Sequence, residues 1–141
     1  MDKLYSLLTS LYGEELHDFL LGNNGMNDTN LFNVMFVVLI IIAAGLIPGF
    51  YYKIWDRATW SSTGKWVLML LINAIVIFLT NVIWINCLGD MMVDEEGQEL
   101  SITLTNIIGF GFASAILGSI AFFLSSLFWK TQSNNCPSTP F

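Results

Sequence analysis

Three long stretches without a charged residue alternate with short polar segments. The first runs over residues 34–50 (VMFVVLIIIAAGLIPGF) and continues into Tyr51 and Tyr52. The second covers 66–88 and the third 102–129. An α-helix rises about 1.5 Å per residue, so roughly 20 apolar residues cross about 30 Å of hydrocarbon. The pattern predicts an all-α integral membrane protein with three transmembrane helices over 34–52, 66–88 and 102–129. A soluble core would need to wrap three uncharged helices of this length, and 141 residues are too few for that.

Ahead of the first span, Leu4, Leu7, Leu8, Leu11, Tyr12, Leu16, Phe19 and Leu20 recur at helical spacing. They predict an N-terminal amphipathic helix over 4–21. Glu14, Glu15 and Asp18 bar it from spanning and interrupt any long apolar run, so no cleavable signal peptide is expected. Such a helix lies on the membrane surface or packs on another helix. Its polar face is acidic and would not be drawn to anionic lipid, which favours protein packing. Residues 22–33 (GNNGMNDTNLFN) read as a turn-rich linker with an incidental glycosylation triplet at Asn27. The chain therefore divides into an extracytoplasmic helix and linker (1–33), a three-helix membrane domain (34–130) and a polar, mobile cytoplasmic tail (131–141).

Composition supports this reading. Hydrophobic residues make up 55% and charged residues 11%, against about 25% charged in a soluble domain. Charge placement sets the orientation. Lys53, Arg57 and Lys65 lie between spans one and two, with Lys130 just past span three. The positive-inside rule places these bases in the cytoplasm, which puts the N-terminus outside and the C-terminus inside. The setting expected is a bacterial inner membrane or a plasma membrane. Tyr51, Tyr52, Trp55, Trp60, Trp66, Trp84 and Trp129 fall near predicted span ends, where amphipathic rings favour the headgroup level. A net charge of −6 lacks the basic footprint of a nucleic-acid binder. Cys87 and Cys136 fall on opposite sides of the membrane and have no metal or redox spacing. His17 is the only histidine, and no nucleophile set, metal cluster or phosphate loop is present. Neither enzyme activity nor a cofactor is expected.

Three groups of residues carry what functional signal there is. In span three, Gly111, Ala115 and Ser119 recur every four residues, and Ser114 and Gly118 form a second pair at that spacing. Small-xxx-small stripes let helix backbones approach closely in lipid. Packing within one chain would explain them, but three spans offer few internal partners, so self-association through span three is favoured. In span two, Asn73, Thr80 and Asn81 lie near one face. They either form interhelical hydrogen bonds or line a polar path. With no charged residue inside any span, the hydrogen-bond reading is the stronger. After span two, Asp94, Glu95, Glu96 and Glu99 form an acidic run. It reads as a solvated loop, or in an oligomer as a cation-attracting outer mouth. Pro48-Gly49 predicts a kink or an end to span one.

Two functions from different classes fit. One is an oligomeric, channel- or pore-like membrane protein assembled through span three and controlled by a partner protein, as a membrane effector of a bacterial defence system would be. The other is a non-conducting accessory or scaffold subunit of a larger membrane complex, docking through its N-terminal helix and span three. The expected partners are the lipid bilayer and either further copies of the chain or another membrane protein.

Overall fold

The computed structural model describes residues 2–22, 31–53, 63–88 and 102–132. Among them every regular element is helical: α1 (Asp2–Ser6), α2 (Thr9–Tyr12), α3 (Glu14–Leu21), α4 (Leu31–Ile40), a π-helical segment (Ile41–Leu46), α5 (Ile47–Lys53), α6 (Thr63–Leu88) and α7 (Leu104–Gln132). Three stretches are long and apolar enough to cross a membrane: Leu31–Tyr52, Thr63–Leu88 and Leu104–Trp129. These are the three spans read from the sequence, with ends displaced by about three residues or fewer, as helix boundaries commonly are.

Each span turns one narrow stripe inward. On α6 the buried residues are Trp66, Met69, Asn73, Ile77, Asn81 and Ile85, three or four apart throughout. The remaining faces expose Val67, Leu68, Leu71, Ile75, Leu79 and Ile83. A helix that is apolar all round cannot sort its faces by hydrophobicity, and on α6 the inner face is the one that carries the amides Asn73 and Asn81.

The chain forms two compact units, Met1–Val37 with Phe78–Ser114 and Val38–Ile77 with Ala115–Phe141. In the first, the N-terminal segment packs on the chain's own spans. Tyr5, Tyr12, Leu16, Phe19 and Leu20 are buried. The Tyr5 ring lies 5.0 Å from Phe32 and 5.3 Å from Phe110, and Tyr12 meets Phe110 edge-on at 5.2 Å. Aromatic pairs at these separations add to the gain from area burial.

The segment is not the single helix its spacing predicts. Gly13 adopts φ 87°, a conformation that favours glycine, and breaks the chain between α2 and α3. Gly22, at φ 83°, ends α3 and donates its N–H to the carbonyls of Asp18 and Phe19. Because of the breaks, Leu7 and Leu11 of the expected apolar stripe point outward, while Tyr5, which is not part of that stripe, is fully buried.

In the second unit Tyr51, Tyr52, Trp66, Met69 and Phe122 form one core cluster and Leu39, Ala43 and Ile77 another. Residues 54–62 with Arg57, the acidic run Asp94, Glu95, Glu96 and Glu99, and Cys136 lie outside the described residues.

Candidate functional site

Span one changes register where its sequence contains a proline. Over Ile41–Leu46 the helix is π, and the Ile47 N–H donates to the Ile42 carbonyl five residues back. A continuous α-helix would send that N–H to Ala43. Pro48, which has no N–H, stands where the next donor should be. It is four residues beyond Ala44 and five beyond Ala43, so it can serve neither carbonyl in either register. Orphan carbonyls are costly in an apolar core unless neighbours satisfy them. Span three supplies the donors. Trp129 Nε1 donates to the Ala44 carbonyl at 2.9 Å. Ser125 Oγ reaches the Ala43 carbonyl at 3.4 Å while donating more closely to Phe122 O at 3.0 Å. The Trp129 ring also lies against Gly49, where a Cβ would sit 3.4 Å from it. Trp129 therefore does more than mark a boundary, because its N–H is committed to the backbone of span one.

Asn73 is fully buried, and its Nδ2 donates to the Gly118 carbonyl at 3.1 Å. Its Oδ1 is buried without a hydrogen-bond partner. Asn81 is also buried and Thr80 is half-buried. Both amides of the candidate polar lining, Asn73 and Asn81, are thus buried within the single chain.

The small residues of span three are used in the same way. Gly111, Ser114 and Gly118 are buried within the chain, whereas Ala115 and Ser119 are half-buried. A Cβ at Gly111 would lie 2.8 Å from both Phe78 and Val82. One at Gly118 would overlap the tip of Ile77. The glycines thus let span two approach span three, which is the in-chain explanation of the stripe. The Ser119 hydroxyl donates to its own helix at Ala115 O (2.8 Å), and Ser126 does the same at Phe123 O (2.7 Å). Hydroxyls bonded this way need no second helix.

The N-terminal segment has its own polar contacts. Tyr12 Oη donates to the Tyr5 carbonyl at 3.0 Å and lies 2.9 Å from His17 Nδ1. Burial, the larger influence, pushes the Tyr12 phenol up to about 12. His17 also leans on Phe32 at 5.0 Å. His17 thus packs with Tyr12 and Phe32. Sequence spacing could not have shown this, because the contact depends on the Gly13 break.

An apolar groove of about 600 Å³ in the second unit is lined by Ile42, Leu46, Ile47, Phe50, Met69, Ile72 and Val76. It follows the π segment and contains no polar side chain. No protein family, characterised protein or solved structure matches this chain.

Proposed function

We propose that this is a multi-pass membrane protein, N-terminus outside and C-terminus in the cytoplasm, that acts as a non-conducting, non-enzymatic subunit of a larger membrane assembly. One observation carries the reading. The exposed residues between positions 67 and 83 and between 108 and 128 are all Val, Leu, Ile or Phe. A pore formed between chains needs a polar stripe on an exposed face, since ions must exchange their hydration for protein groups. An exterior of this composition suits lipid and the apolar flanks of other membrane helices.

A channel-like homo-oligomer under the control of a partner is the second reading. It is favoured by Asn73 Oδ1, a buried acceptor without a hydrogen-bond partner in mid-span. Such an atom is where water or an ion would be stabilised. The acidic run at Asp94, Glu95, Glu96 and Glu99 would then attract cations to the outer mouth.

Two measurements on the full chain separate them. Purified protein in liposomes is assayed for ion flux, and native membranes are solubilised gently to see what co-purifies. A stable hetero-complex with no flux from the pure protein supports the subunit. Robust flux that falls in Asn73→Leu/Asn81→Leu, with assembly intact, supports the channel and overturns the subunit reading. Cysteine labelling of the loop between spans one and two tests the orientation, and labelling from outside intact cells would reverse it.

A further inference from the structure

The π segment of span one and the donors facing it have a role beyond packing. We infer that Ile41–Leu46 is a register hinge, held in its π form by Ser125 and anchored by Trp129, which lets α5 turn relative to the residues before it. The argument rests on which donor serves which carbonyl. In the π form the Ile47 N–H goes to Ile42, so the Ala43 carbonyl loses its helical donor, and Pro48 cannot replace it. Ser125 Oγ has one proton, donated to Phe122 O at 3.0 Å and shared with Ala43 O at 3.4 Å, so it covers Ala43 in part. If the segment reverts to α, the Ile47 N–H returns to Ala43 and the serine contact becomes unnecessary. Ser125 therefore favours one register over the other. Ala44 is different. Pro48 removes its α donor, so Trp129 Nε1 remains useful in both registers and acts as the pivot.

The two registers differ by one residue, so conversion turns the rest of the same helix by about 100° and shifts it by about 1.5 Å. Ile47–Lys53 is what turns. It carries Phe50 and Ile47, which line the apolar groove, and Tyr51 and Tyr52, which fill the core with Trp66 and Phe122. Gly49 beneath the Trp129 ring and Gly45, with open space beside it, permit the motion. The hinge does not depend on whether the chain conducts.

The test uses the full chain in liposomes with Cys87 and Cys136 replaced by serine. Spin labels are placed at Phe50 and Leu68, both exposed, and their separation is measured by pulsed electron resonance. A second pair at Leu71 and Leu124, also exposed, reports whether α6 and α7 remain in place. The parent should give one narrow separation. Ser125→Ala should add or enlarge a second population, displaced by up to about 8 Å for a 100° turn of a labelled helix. Adding Trp129→Phe should broaden both populations. Pro48→Ala restores an N–H that can serve Ala43 or Ala44, so on that background the serine and tryptophan changes should have no effect. The hinge is overturned if Ser125→Ala leaves the Phe50–Leu68 separation unchanged. It is equally overturned if the change also appears at Leu71–Leu124, or persists with Pro48→Ala, because the variants would then be loosening the bundle generally.

Discussion

Gly109→Ala should release the N-terminal segment from the spans while leaving the spans intact. A Cβ built at Gly109 would overlap the Leu11 carbonyl oxygen, lie 2.8 Å from the Leu11 carbonyl carbon and 3.2 Å from the Tyr12 Cα. These are backbone atoms, so no rotamer change relieves the overlap. The chain between α2 and the Gly13 turn must move as a unit. Forced overpacking of this kind costs roughly 1–3 kcal/mol, and each 1.4 kcal/mol is a tenfold change in an equilibrium. The docked fraction should therefore fall about five- to hundredfold relative to the released one. Displacement would separate Tyr5 and Tyr12 from Phe110, so the near-ultraviolet circular dichroism of the aromatic cluster should weaken in proportion to the released fraction. Amide exchange over residues 2–21 should rise by a similar factor, with exchange in α6 and α7 unchanged. Gly64→Ala is the control, since nothing lies within 4 Å of its Cβ position, and it should be neutral or slightly stabilising. Unchanged dichroism and exchange in Gly109→Ala would show that the segment is not held at Gly109.

Three further outcomes follow from the same contacts. Gly111→Ala should lower the unfolding free energy measured in detergent by roughly 1–3 kcal/mol, because its Cβ meets Phe78 and Val82. If it dissociated an oligomer at unchanged monomer stability, the stripe would lie between chains. Asn73→Leu should change stability little, within about 1 kcal/mol. The lost bond to Gly118 is worth about 0.6–1.7 kcal/mol, and removing an unpaired buried oxygen offsets it; a large loss in thermal unfolding would mean that Oδ1 has a partner after all. The Tyr12 phenol is raised from 10.0 to about 12 in the folded chain. Its contribution is complete below pH 10 and is lost as pH rises towards 12, since only the released state ionises freely. Tyrosinate absorbance should appear late in the parent, together with exchange over residues 2–21, and Tyr12→Phe should remove that link.

The three helices long and apolar enough to cross a membrane were legible in the linear chain because lipid would impose one requirement that composition alone answers: about 20 uncharged residues whose backbone bonds close within the helix. Local chemistry also marked Pro48 as a disruption and Gly111, Ser114 and Gly118 as points of close approach. Which approach they serve was not legible. A stripe of small residues looks the same whether its partner is a copy of the chain or span two. Only the packed fold shows Phe78, Val82 and Ile77 filling it. The N-terminal segment illustrates the same boundary. Its helical spacing was visible, but a left-handed glycine at 13 reorients everything before it, so Tyr5 enters the core and Leu7 leaves it. The π turn lay further still beyond sequence reading. Proline predicts lost donors, yet a helix can respond by kinking, ending or changing register. That choice depends on where substitute donors stand, and Ser125 and Trp129 reach Ala43 and Ala44 only once residues 82 and 85 positions away in sequence are neighbours in space.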